Sequence, residues 1–186
     1  MNNLNFDERA ILTAYKRFYG ECYPVADTNK TEAHIRAQKM SFLLSVSGVN
    51  IGEFGYSWNF HGPYSAGLQS KLRALDFHAN LVQEFYENNK NDTLLFSDGD
   101  SPVALFSEQQ KTKIDDLSRS LKIKEGQNNK NDWPELLGSL AFLAQSVYPG
   151  TDFETINTQL KQVKSKFSND QVNLNAWNTL RTAGII

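Results

Sequence analysis

Residues 54–75 read FGYSWNFHGPYSAGLQSKLRAL, and two periodicities meet inside them. Tyr56, Trp58 and Phe60 alternate with Ser57, Asn59 and His61, the period of a short strand with one aromatic face. Beyond Gly62, Pro63 and Tyr64, Leu68, Leu72 and Leu75 recur at helical spacing. Pro63 is expected to end the strand, and Ser65 is placed to cap the helix that follows. The stripe runs on through Ala79, Val82 and Tyr86, while Phe77, Leu81 and Phe85 begin a second one, so a break is expected near Phe77.

Working outward, Ile11, Leu12, Tyr15, Phe18 and Tyr19 predict a helix over 7–19 that Gly20 can stop. A second helix is expected over 31–47. Ile35, Phe42, Leu43 and Val46 share one of its faces with Lys39 near the centre, and Ala37, Met40 and Leu44 form a second apolar face opposite. A helix apolar on two sides belongs in the middle of a fold. Residues 87–107 read as loop-like around a small hairpin, with Asp98-Gly99 as the turn signal. Ser107 is an N-cap for a helix through Ile114, Leu117 and Leu121. Three further helices are expected over 133–147, 152–166 (capped by Thr151) and 169–181 (capped by Ser168). Together these give a mainly α, single compact domain over 1–186, of about seven helices with one or two short β-strands. The helix–strand–helix unit at its centre could resemble a winged helix. Polar stretches near 88–101 and 124–132 are expected to be mobile loops.

Composition narrows the function. A chain of 186 residues with 40% apolar side chains has ample material for one core. Nineteen basic against 21 acidic residues leave a net charge of −2, which argues against coating nucleic acid by bulk electrostatics. A local basic excess over 103–130 is modest, with six basic and four acidic residues. Cys22 is the single cysteine, so no disulfide framework is expected. The start MNNLNFDERA has no signal-peptide pattern, and MSFLLSV is far short of the ~20 apolar residues a membrane helix needs. These features fit a soluble cytoplasmic protein with no membrane contact.

No catalytic constellation emerges. Asp98, Asp100 and Ser101 mimic the start of a calcium loop, but Gln109 stands where an acid is required. His34, His61 and His78 lack metal-ligand spacing, and neither a nucleophile elbow nor a phosphate-binding glycine loop is present. Asp115 and Asp116 are best read as surface partners of Arg119 and its neighbours. No cofactor and no metal are expected. Lys39 is the exception among the charges, because a lysine on an apolar stripe must snorkel, find an acid, or titrate low. Arg36 lies one turn away and could extend a basic site. Trp58, His61 and Tyr64 crowd one strand end, where large side chains with polar tips suit an interface.

The run Phe60-His61-Gly62-Pro63-Tyr64-Ser65, preceded by a lysine-bearing helix and followed by Leu68, Leu72 and Leu75, resembles the YwgA-like proteins. Through them it is similar to the SocA-like, or Panacea, antitoxin domain. The family's Lys-Leu-x-Lys-Leu helix motif corresponds to Arg36-Ala37-Gln38-Lys39-Met40, with Arg36 for the first lysine and Ala37 departing from the usual leucine. Glu135-Leu136-Leu137, Lys166-Phe167-Ser168 and Ala176-Trp177 resemble its C-terminal motifs, whereas the polar insert around 88–100 has no counterpart. The resemblance implies a non-enzymatic protein that binds another protein, a toxin or a phage-defence component. The expected binding residues are Arg36, Lys39, Trp58, His61, Gly62, Pro63 and Tyr64, with no catalytic residue among them. The alternative is a winged-helix-like nucleic-acid-binding regulator reading through the helix after Ser65 or through 108–122.

Overall fold

The segment that decides the fold is a helix–hairpin–helix. In the computed structural model, which describes residues 4–24, 30–89, 95–98, 101–122 and 132–186, strand β1 (Ser57–Asn59) pairs antiparallel with β2 (Gly62–Tyr64). Pro63 therefore does not end a strand, as the sequence suggested; it sits within the second one, opposite Trp58. A two-strand ribbon leaves the outer edge of each strand unpaired, so proline's missing N–H need cost no ladder bond. The chain reverses at Phe60 and His61, and Gly62 leaves the turn at φ +85°, where glycine alone is unstrained. A Cβ on Gly62 would also lie 2.6 Å from Ser139 Oγ.

Before the hairpin come α1 (Phe6–Tyr19) and α2 (Lys30–Val46). Asn5 and Glu8 form a reciprocal cap on α1, and Gly20, left-handed at φ 75°, stops it. Every residue of α2 from Ala37 to Leu44 is buried, as two opposed apolar faces require. Helix α2 packs on α1, α3, α6 and β2. After the hairpin, the Ser65 hydroxyl accepts from Leu68 N and starts α3 (Ala66–Phe77), which breaks at His78 before α4 (Ala79–Asn88). The break falls where expected, but Phe77 does not join the core: it is 86% exposed, and Val82 and Phe85 carry the buried stripe of α4.

Strands β3 (Leu95–Asp98) and β4 (Ser101–Ala104) pair as the second hairpin; their connecting residues, and most of the polar stretch 124–132, lie outside the described residues. A capping box at Ser107 and Gln110 opens α5 (Glu108–Ser120), which packs on α1. Helix α6 (Asp132–Phe142) runs into a π turn (Leu143–Val147), and α7 (Phe153–Val163) and α8 (Asp170–Thr182) close the chain. Their caps are Asp152 and Asn169 rather than Thr151 and Ser168, each one residue later and each with a side-chain oxygen that accepts from the N3 amide. Val147, Val163 and Val172 are exposed. The protein is mainly α, with eight helices among the described residues and their buried apolar side chains in one continuous core. No described helix is long and apolar enough to cross a membrane.

Candidate binding site

The hairpin tip is held from both sides by lysines. Lys39, from the middle of α2, is 1% exposed, and its ammonium donates to Pro63 O at 2.6 Å. Lys164, just past α7, donates to Phe60 O and lies 5.4 Å from the Trp58 ring centre. Gln38 adds a third tie. Its amide accepts from Ser65 N and donates to Ser65 O, both at 2.9 Å, so a side chain of α2 pairs with the backbone beyond β2 as a strand would. Glycine at 138 lets α6 approach: a Cβ there would stand 3.2 Å from Lys39 Cδ and 3.3 Å from Pro63 Cγ.

Glu135 is the shared counter-ion. Its carboxylate is buried and accepts from Lys164 at 2.7 Å, Lys166 at 2.9 Å and His61 Nδ1–H at 3.2 Å, while Lys166 also reaches Asp132 at 3.0 Å. Burial works to raise the Glu135 pKa, but the hydrogen bonds and charges of Lys164 and Lys166 hold it below the ordinary carboxylate value. Burial likewise lowers Lys164, only partly offset by Glu135, whereas Lys166 ends raised because Glu135 and Asp132 outweigh its burial. Among the described residues, Lys39 makes no carboxylate contact. Its burial, with repulsion from Lys164 and Lys166 only partly countered by Glu135, pushes its pKa down to about 7. Of the three outcomes open to an apolar-stripe lysine, it follows the last.

A cleft of about 480 Å³ opens beside this cluster, between α2, α3 and the hairpin. Lys39, His61, Gly62 and Tyr64 all line it, so the structure brings together four of the residues singled out in the sequence. Pro63 is buried against Gly138, and Trp58 packs on Phe142 at 5.8 Å between ring centres. Arg36 is elsewhere. Its guanidinium stacks 4.0 Å over Tyr19, pairs with Glu21, and lines a separate hollow with Phe18 and Leu121. Burial works to lower its pKa, but the Tyr15 and Tyr19 hydroxyls and Glu21 outweigh that and leave it raised. The expected joint Arg36–Lys39 patch does not exist, because residues three apart diverge by ~60° around a helix and α2 is packed on every side.

Several contributors were not legible. On the cleft wall, Gln69 donates to His34 Nδ1 at 2.8 Å, His34 Nε2–H to Asp76 at 2.9 Å, and the Tyr23 hydroxyl to the same carboxylate at 3.3 Å. Both ring nitrogens of His34 are thus engaged, which makes it a wall element rather than a free base. Arg73 stands exposed at the rim, and among the described residues neither it nor the Tyr64 hydroxyl has a polar partner. Phe60, at the tip, is 82% exposed and meets the His61 ring edge-on at 5.0 Å. Alternation had assigned Phe60 to the aromatic face with Tyr56 and Trp58; the turn removes it. Among the described residues, no cluster of three His, Cys, Asp or Glu side chains is gathered as a metal ion needs. Comparison with known proteins finds no family model, no curated protein and no solved structure that matches this chain.

Proposed function

We infer that this protein is a non-enzymatic binding module that engages another protein through the tip of the β1–β2 hairpin and the cleft beside it. The observation that carries this reading is the tip itself. Phe60 is almost fully exposed, yet the backbone on both sides of the turn is clamped from within, by Lys164 at Phe60 O and by Lys39 at Pro63 O. An aromatic presented on a rigid support loses little entropy on docking, the property of an interface anchor. Around it stand the half-exposed His61 and the unpartnered Tyr64 and Arg73, which suit an acidic or mixed surface.

The resemblance to YwgA-like and SocA-like proteins supports the same reading, and its scattered motif residues meet here. Lys39, Gly62, Pro63, Glu135 and Lys166 come from four separate stretches and share one cluster. On that resemblance the partner is a toxin or a defence component. Nucleic-acid binding through α5 is the weaker reading, because Lys111 pairs with Glu108 and Arg119 with Asp116 on the same helix. On α3, Lys71 lies 3.6 Å from Asp7.

Co-purification from the native host tests the proposal. The expected result is a stoichiometric protein partner lost on Phe60→Ala and Tyr64→Ala but retained on Phe77→Ala, an equally exposed aromatic on the distant end of α3. A complex indifferent to both tip-side substitutions, or a chain that purifies alone with its phenotype intact, would overturn it. A salt-sensitive gel shift that persists in those variants would favour nucleic acid instead.

A further inference from the structure

We propose that the cleft between α2, α3 and the β1–β2 hairpin is a carboxylate-binding site, with Lys39 at its floor and Arg73 at its rim as the two cationic contacts. An ammonium has three donors. Lys39 spends one on Pro63 O, and among the described residues no carboxylate lies in hydrogen-bond contact with it. The acid whose charge reaches it, Glu135, is already engaged by Lys164, Lys166 and His61. A buried cation without a contacting counter-ion is costly unless an anion arrives or the proton leaves. The depressed titration of Lys39 is the second of these, and an anion in the cleft would supply the first. Among the described residues nothing occupies the Arg73 guanidinium fork or the Tyr64 hydroxyl, and both stand on the same cleft.

The wall selects the type of anion. Asp76 lies in it, held by His34 and Tyr23, so a doubly charged group would meet a fixed negative charge. A single carboxylate, flat and bidentate towards Arg73, avoids most of that repulsion. The groups that face Lys39 are accounted for on every side: His34 on its own helix, Arg73 and Asp76 on α3, His61 on the hairpin, Glu135 and Asp132 on α6, and Lys164 and Lys166 beyond α7. Since the bound anion requires the charged amine, binding takes up a proton and weakens as pH rises past the Lys39 midpoint.

The site stands apart from the tip reading, because it is tested with two monoanionic probes and no partner. These are N-acetylglycine, a free acid, and the capped peptide acetyl-Gly-Asp-Gly-amide, whose one charge is a side-chain carboxylate. Each is titrated into the full chain at low salt, at pH 6.5 and 8.5, and followed by NMR shifts of the cleft residues. The expected result is saturable one-to-one binding of at least one probe, with a dissociation constant on the order of millimolar. It should be several-fold tighter at pH 6.5, and about ten-fold weaker in Arg73→Gln and in Lys39→Met. Binding of the free acid alone marks a small-molecule site, binding of the peptide alone marks a seat for an acidic side chain, and both outcomes support the assignment. Arg73 is exposed, so its variant folds whatever happens to Lys39→Met. No saturation by either probe, binding unchanged in Arg73→Gln, or tighter binding of inorganic phosphate than of both probes would overturn it.

Discussion

Arg36 and Lys39 sit three residues apart on one helix and end in opposite situations. Arg36 is wrapped by its own chain, with an aromatic ring beneath it, a carboxylate across from it, and a pKa left raised. Lys39 is more deeply buried and receives a single carbonyl. The difference is not charge or hydropathy but where counter-ions fall in the packing. A cation that the fold compensates is a staple between elements. One that the fold leaves under-compensated beside an opening is a point of attachment.

The largest effect is expected at the acid that keeps the Lys39 side tolerable. Glu135→Gln removes the negative charge shared by Lys164 and Lys166, and leaves the buried ammonium of Lys164 facing neutral oxygens instead of a carboxylate. Breaking such a cluster from one side costs about 3–5 kcal/mol, measurable by urea unfolding at neutral pH. Because Glu135 titrates below its ordinary value when folded, its contribution is present above the unfolded pKa and is lost as pH falls through the folded one. The variant's stability should therefore decline less below pH ~4.3 than that of the parent. If Glu135→Gln unfolds like the parent, the cluster is not what fixes the hairpin.

Substituting methionine at each cation sharpens the comparison, because the two signs should differ. At Arg36 it discards an ion pair and an aromatic stack, with an expected loss of about 1 kcal/mol. At Lys39 it removes a charge that burial disfavours, and the expected result at pH 7 lies between no change and a gain of about 3 kcal/mol. The pH dependence follows from the same depression. With a folded pKa of about 7 against 10.5 unfolded, the unfolded chain holds the extra proton across that window. Parent stability should then rise with pH, by up to ~1.4 kcal/mol per unit, until the unfolded lysine titrates. Lys39→Met should lack this rise between pH 7 and 9. Equal slopes in the two proteins would sink the claim.

How much of this was readable without coordinates follows from which interactions are local. Helix α1, its glycine stop, the Ser65 cap, the break near Phe77 and the two-faced character of α2 all rest on contacts within a few residues, and their patterns are visible in the chain. The hairpin was half visible. Alternation marked β1, but β2 is three residues, too short for a period, and it contains the proline that reads as a terminator. Lys39 stood out because it broke a stripe. Its surroundings did not, since Glu135 and Lys164 lie 96 and 125 positions further along the sequence and neither residue is unusual where it stands. Arg36 was misplaced for a related reason. One helical turn implies proximity on a free helix, whereas on a helix buried all round it separates neighbours into different interfaces.

The smallest expected effect asks whether the Lys39 side is tight through its ionic ties or through packing alone. Ser139 Oγ is buried with no hydrogen-bond partner among the described residues, close against Gly62 at the root of the tip. It has given up hydration without replacement, so Ser139→Ala loses no bond and relieves a desolvated hydroxyl. The stability change should lie within about 0.5 kcal/mol of zero. If the ties from Lys39, Lys164 and Gln38 set the position of the hairpin, the His61 and Tyr64 resonances should also stay in place. A loss above about 1 kcal/mol would mean that the hydroxyl is engaged or that its volume wedges the hairpin. In that case packing from α6, rather than the two lysine clamps, would be what separates this side of α2 from the Arg36 side.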